Sequence, residues 1–240
     1  MTKALYLDDS YFKEFDATVK SITDGKFVVL DQTAFYPNSG GQPYDTGKFI
    51  RKSDNKEFKV VYVRKFKAEI SHQLENPEDT LKEGDEIKGI IDWDRRYAHM
   101  RAHSAAHILA ESLFRNSGAL TTGNQLSDNE CRIDSNFEYS PKLIEKTFKE
   151  ANAIIEQDLP ITARILAREE AEKLPNLTKL AKGLPESIKE VRILSIGDYD
   201  EQADGGTHVK STKEIGAIEF LRYNSKGKNN KRIYFKVKNG

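Results

Sequence analysis

Up to about residue 92, apolar and polar positions alternate in short runs, each closed by turn residues. A two-residue period of this kind predicts strands over Phe15–Ile22, Phe27–Asp31, Phe58–Val63, Ala68–Leu74 and Glu86–Ile91. Thr23-Asp24-Gly25-Lys26 lies between the first two, and Asp-Gly between strands is a strong hairpin signal. Asp54-Asn55 and Glu83-Gly84-Asp85 mark further turns. Strands so closely spaced and without helices indicate a small barrel or sandwich. At Trp93-Asp94 the period changes. Asp94 is the expected N-cap of a helix running through about Arg115, with Met100, Ile108, Leu109 and Leu113 available to the core and Asn116-Ser117-Gly118 as the stop.

The second part mixes both periods. Leu120–Gln125 and Cys131–Asn136 read as strands around Ser127-Asp128-Asn129. Ser140-Pro141 supplies the preferred N-cap and first-turn residues of a helix whose Ile144, Phe148, Ala151 and Ile155 form an apolar stripe ending near Pro160. Ile161–Ala167 is a predicted strand, Arg168–Leu174 a short helix, and Val191–Ile196, Ile215–Tyr223 and Arg232–Val237 further strands. The expected architecture is therefore two-domain. Residues 1–92 form a small β-rich domain, and residues 93–240 an α+β domain with helices packed on a largely antiparallel sheet.

Candidate chemistry gathers at two places. His103 and His107 are four apart on the predicted helix and so share a face. Asp204 and His208 repeat that spacing about a hundred residues later, within ADGGTHV. Facing one another, the pairs would offer imidazole and carboxylate ligands to one divalent metal. The chain has five histidines, and three of them fall in this set. His99 extends the helical ladder, as a further ligand or a bystander. Gly205-Gly206 beside Asp204 points to a tight turn or a close backbone approach. In FYPNSGGQPYDTG, Phe35–Gly47, Gly40-Gly41 followed by Gln42 reads either as an ordinary connection or as a loop whose backbone and amide meet a ligand.

Composition narrows the class. No apolar run approaches the roughly eighteen residues a membrane helix needs, and the first residues do not form a signal peptide. The single cysteine, Cys131, allows no internal disulfide, fits a reducing cytoplasm and has no evident local base to activate it. Net charge is zero, yet from Lys210 onward nine Lys or Arg stand against Glu214 and Glu219. The densest cluster is KGKNNKR, containing Lys226, Lys228, Lys231 and Arg232, either a solubilising turn or a footprint for a polyanion.

Three segments in order, FYPNSGGQPYDTG, DWDRRYAHMRAHSAAHIL and GDYDEQADGGTHVKSTKEIG, cover most of the chain's landmarks. Together they resemble the alanyl-tRNA editing proteins of the AlaX type, in the medium-length class, relatives of the editing domain of alanyl-tRNA synthetase. The resemblance implies a small β-barrel before the α+β domain. It also implies hydrolysis in trans, without ATP, of the ester joining serine, or glycine, to alanine tRNA in the cytoplasm. One zinc ion per chain would be held by His103, His107, Asp204 and His208, with no protein partner. Asp204 stands where the family pattern usually has Cys. Asp204 as an oxygen ligand, Asp204 as a hydrogen-bonding partner of a bound water, and His99 as a substitute ligand all stay open. By the same resemblance Thr121 or Thr122 would recognise the seryl hydroxyl. Gly40, Gly41 and Gln42 would lie near the terminal adenosine, and Arg101 would join the basic cluster on phosphates.

The metal would either activate a bound water or orient the substrate's amino group. No side chain is assigned as nucleophile, because no Ser-His-Asp or Cys-His set is present. Two rival readings remain: a tRNA-binding module without catalysis, and a metal-dependent hydrolase of another ester.

Overall fold

A computed structural model of the chain describes residues 1–75, 80–127, 129–138, 140–174, 177, 189–227 and 230–238. The chain divides into two compact units, Met1–His99 and Met100–Gly240, with the division falling inside one long helix.

In the first unit, six strands close into an antiparallel barrel: β1 (Glu14–Thr23), β2 (Phe27–Leu30), β3 (Gly47–Arg51), β4 (Glu57–Phe66), β5 (Glu69–Leu74) and β6 (Glu86–Ile91), in the order β1-β2-β5-β4-β3-β6. The alternation predicted for five of these runs appears directly in the burial pattern. Phe15, Ala17 and Val19 of β1 point inward, as do Phe58, Val60 and Val63 of β4. The turn between β1 and β2 has Asp24 and Gly25 at φ +51° and +65°, the pair of left-handed residues that a tight hairpin of this twist requires. Strand β3 escaped the sequence pattern because only Phe49 among its five residues is buried, which leaves no alternation to detect. Its ring packs edge-on against Phe35 at 5.6 Å.

Two buried basic side chains of the first unit, His72 and Arg96, are held by hydrogen bonds. His72 accepts or donates through Nε2 with Thr33 Oγ1 at 2.9 Å and meets the Val28 carbonyl through Nδ1 at 3.0 Å. Arg96, wholly buried, reaches both carboxylate oxygens of Asp45 from Nε at 3.0 Å and donates to the carbonyls of Ser10 and Ala34.

Helix α1 (Trp93–Ser117) begins two residues earlier than the expected N-cap would allow. Asp92, not Asp94, caps it: its Oδ1 accepts from Arg95 N and its carbonyl from Arg96 N. Asp94 lies inside the first turn, where its negative charge complements the helix dipole. Gly118, at φ +67°, donates its N–H to the Phe114 carbonyl and ends the helix. Residues 102–109 are buried on every side, so the helix carries no clean apolar stripe.

The second unit contains two antiparallel sheets rather than one. The larger runs β12-β13-β8-β7, with β7 Thr121–Gln125, β8 Cys131–Ser135, β12 Ile218–Ser225 and β13 Lys231–Val237. The smaller runs β9-β10-β11, with β9 Ile161–Ala167, β10 Glu190–Ile196 and β11 Asp200–Ala203. Helix α2 (Pro141–Glu156) has the expected cap, Ser140 Oγ accepting from Leu143 N at 3.0 Å, and its predicted stripe is buried. Asn152 ties α2 to β12 by exchanging two hydrogen bonds with the Ile218 backbone, at 3.0 and 2.9 Å. The short helix after β9 covers only Arg168–Ala171, and a 3₁₀ turn at Thr212–Ile215 precedes β12. Asp128 of the expected turn lies outside the described residues. No helix among the described residues is long and apolar enough to cross a membrane.

Candidate metal centre

Helix α1 carries His103 and His107 one turn apart, their rings 5.0 Å from each other. The loop after β11 brings Asp204 and His208 against that face. His208 stacks near His103 at 4.4 Å and meets His107 edge-on at 5.0 Å. The second pair shares the first pair's spacing but not its conformation. Asp204 Oδ2 accepts from Gly206 N at 2.5 Å, which curls the loop into an Asx turn and returns His208 beside Asp204, 2.9 Å from Nε2 to Oδ2. Arg192 of β10 holds the loop from behind, donating to the carbonyls of Asp204 at 3.2 Å and Gly206 at 3.1 Å.

Close approach explains one of the two glycines. A Cβ on Gly206 would sit 2.1 Å from His103 Cε1 and 2.3 Å from His103 Nδ1. Gly205 has nothing within 4 Å of such an atom. Only Gly206 is therefore obligatory on steric grounds.

One donor atom from each of His103, His107, Asp204 and His208 lies within 4.8 Å of the other three. His103 and His208 are buried, and the side chains of His107 and Asp204 are only 10% and 15% exposed. His103 Nε2 and His107 Nε2 stand 3.4 and 3.5 Å from Asp204 Oδ1. A tetrahedral zinc with ligands at about 2.0–2.1 Å needs donors about 3.3–3.4 Å apart, so these two distances and the three-imidazole, one-carboxylate chemistry fit such an ion. His99 is not in the cluster.

Electrostatics suit a cation. Burial would raise the Asp204 carboxyl, but the facing His103, His107 and His208 hold it well below the usual carboxylate range. Burial keeps His103 well below the ordinary imidazole value and His208 down at about 4. His107 is the exception: burial opposes its proton, yet Asp200 and Asp204 together outweigh burial and raise it to about 9.

Several supporting side chains carried no sequence signal of their own. Ser104 Oγ meets His208 Nδ1 at 3.1 Å, and Gln202 Nε2 meets His107 Nδ1 at 2.8 Å. The alternation Asp200-x-Gln202-x-Asp204 would have flagged Gln202 had β11 been recognised as a strand, since alternate residues share a face.

The other expected site residues are placed variously. Thr121 is buried and its neighbour Thr122 exposed. Gly40 and Gly41 form an exposed turn at φ +56° and +84°, closed by reciprocal backbone bonds between Ser39 and Gln42, whose side chain is buried. Arg101 donates from Nε to the Ile215 carbonyl at 2.9 Å and from Nη2 to the Lys238 carbonyl at 2.5 Å. Arg232 grips both oxygens of Asp134 at 2.8 and 2.9 Å. Lys231 donates to Ser225 Oγ and the Gly227 carbonyl, and Lys226 is exposed. Lys228 lies outside the described residues.

Residues 4–95 match the family described as class II (A) tRNA synthetases, and residues 191–234 match the second additional domain of threonyl and alanyl tRNA synthetases. Barrel, helix and histidine-bearing loop thus define a protein of the synthetase editing-domain class. At the level of whole chains, the alanyl-tRNA editing protein AlaX-M of Methanosarcina barkeri is 51% identical over 239 residues, covering 98% of each chain. The AlaX-M of Saccharolobus solfataricus is 44% identical over 238 residues, covering 99% of this chain and all of its own. The alanine–tRNA ligase of Pyrococcus abyssi is 40% identical over 227 residues, which is 92% of this chain and 24% of the ligase. The chain belongs to the alanyl-tRNA editing proteins of the AlaX-M type.

Proposed function

We propose that this protein removes serine, and glycine, from misacylated alanine tRNA, acting in trans in the cytoplasm at a zinc centre made of His103, His107, Asp204 and His208. What carries the reading is the buried four-donor cluster in a chain of this family. A divalent metal bound there supplies Lewis-acid chemistry to an ester and its attacking water. The chain's own part is to hold the donors. Helix α1 fixes two imidazoles in register, the Asx turn returns His208 to Asp204, and Gly206 leaves room for the His103 ring. Ser104 orients the outer nitrogen of His208.

Such an activity answers a physical limit. A pocket that accepts alanine rejects an added hydroxyl by only about a hundredfold, whereas a site built to hydrogen-bond that hydroxyl discriminates by about ten-thousandfold. Thr121 is the preferred candidate for that hydrogen bond, because Thr122 faces solvent. Gly40, Gly41 and Gln42 remain assigned to substrate, and Lys226, Lys228 and Lys231 to phosphates. Arg101 and Arg232 act through the fold, since their guanidinium groups already serve backbone carbonyls and Asp134.

The test presents the protein with seryl-, glycyl- and alanyl-tRNA(Ala) and with a simple seryl ester lacking tRNA. Loss of serine with alanine retained supports the reading. Equal hydrolysis of the simple ester would favour a general metal-dependent esterase, and binding without hydrolysis a tRNA-binding module.

A further inference from the structure

The two nitrogens of His107 face different surroundings. Nε2 looks into the donor cluster, 3.5 Å from Asp204 Oδ1, and Nδ1 looks away from it. A neutral imidazole that gives its Nε2 lone pair to a metal carries its proton on Nδ1, and that proton needs an acceptor. Strand β11 sets two candidates there, Asp200 and Gln202, alternate residues on its buried face. Gln202 Nε2 lies 2.8 Å from His107 Nδ1 and donates to Asp200 Oδ2 at 2.6 Å. Asp200 Oδ2 itself is 3.9 Å from Nδ1. Of these groups the carboxylate accepts the Nδ1 proton without reversal of the amide. A side-chain shift of about 1 Å brings it within hydrogen-bond range.

We propose that Asp200, steadied by Gln202, is a positioning residue: it keeps the His107 proton on Nδ1 and so turns the Nε2 lone pair into the metal cluster. This role rests on the metal centre proposed above. His208, by contrast, has a hydroxyl at its outer nitrogen, Ser104 Oγ at 3.1 Å, which accepts without charge. Asp200 is 5% exposed and Gln202 8%, so the pair is buried beside the His107 ring.

Three proteins test it: the unaltered chain, Asp200→Asn, and Asp200→Asn with Gln202→Glu. The double variant exchanges amide and carboxylate, keeping their volume and mutual hydrogen bond and placing the carboxylate nearest Nδ1. Zinc affinity is read by competition with a chromogenic chelator, and the ligand field by the visible spectrum of the cobalt(II) form. Asp200→Asn is expected to weaken zinc binding by about 10- to 100-fold and alter the cobalt spectrum. The double variant is expected to recover both. Unchanged affinity in Asp200→Asn, or a double variant no better than the single one, would overturn the role while leaving the metal centre standing. Absence of zinc binding by the unaltered chain would overturn both together. Should Asp200→Asn fail to fold, the double variant decides alone: it binds zinc like the unaltered chain, or the role fails.

Discussion

Replacing Gly206 by alanine isolates the steric requirement of the centre. The new Cβ would lie 2.1 Å from His103 Cε1 and 2.3 Å from Nδ1, where ordinary contact begins near 3.4 Å. The His103 ring must therefore retreat by more than 1 Å, or the loop that bears Asp204 and His208 must. Neither moves freely: His103 sits in the fully buried stretch 102–109 of helix α1, and Arg192 pins the loop carbonyls. Overpacking of this kind costs about 1–3 kcal/mol of stability. It also separates His103 Nε2 from Asp204 Oδ1, now 3.4 Å apart. A displacement of about 1 Å in a reacting constellation lowers turnover by about a hundredfold, and a disturbed ligand orientation weakens metal binding by about 10- to 100-fold. Gly205→Ala is the matched control, because nothing lies within 4 Å of its Cβ and its φ is not left-handed. It should match the parent in zinc affinity and gain up to about 1 kcal/mol in urea unfolding, through a stiffer unfolded chain. The assay pairs chelator competition for zinc with seryl-tRNA(Ala) deacylation. A folded Gly206→Ala protein with parental zinc affinity and rate would refute the placement of His103 against this loop.

Other outcomes follow from particular contacts. Removing the acid of the buried barrel pair, Asp45→Ala, leaves the Arg96 guanidinium without its carboxylate and should cost about 3–5 kcal/mol in chemical denaturation. His72 is held down at about 4 by burial against 6.5 when exposed, so the unfolded chain takes up its proton first. Its contribution is complete above about 6.5 and is lost as pH falls toward 4. Unfolding free energy should fall by about 2 kcal/mol more between pH 7 and pH 5 in the parent than in His72→Gln. The donor cluster contains no thiolate and Cys131 is buried, so iodoacetamide should leave metal content and deacylation unchanged. Changing Lys226, Lys228 and Lys231 together to alanine should weaken tRNA binding and flatten its log–log salt dependence by up to about 3, as filter binding at several salt concentrations would report.

Most of the centre was legible because its geometry is local. His103 and His107 share a helix face by spacing alone, and between Asp204 and His208 lies Gly206, which the close approach of the His103 ring explains. The expectation of a barrel followed by helices on antiparallel strands likewise matches the fold, since alternating burial in β1, β4 and β6 is written in the residues themselves. What stayed hidden depends on three-dimensional context. β3 and β11 are too short, with too few inward apolar residues, to show a period. Without β11, the shared face of Asp200 and Gln202 could not be seen. The fates of arginines are equally invisible in one dimension. Arg101 and Arg232 look like surface charge, yet their partners are a distant carbonyl and a carboxylate nearly a hundred residues away. The N-cap is hidden for the same reason, because Asp92 and Asp94 are chemically identical and only the backbone path selects between them.

The central claim is that His103, His107, Asp204 and His208 form the metal centre of a seryl-tRNA(Ala) deacylase. Its most direct test measures bound zinc and single-turnover deacylation of seryl- and alanyl-tRNA(Ala) in the parent and in Asp204→Ala. The account predicts one zinc per parent chain, fast loss of serine with alanine retained, and loss of both zinc and activity in the variant. Parent protein that holds zinc yet leaves seryl-tRNA(Ala) intact, or a variant that keeps both metal and rate, would contradict it.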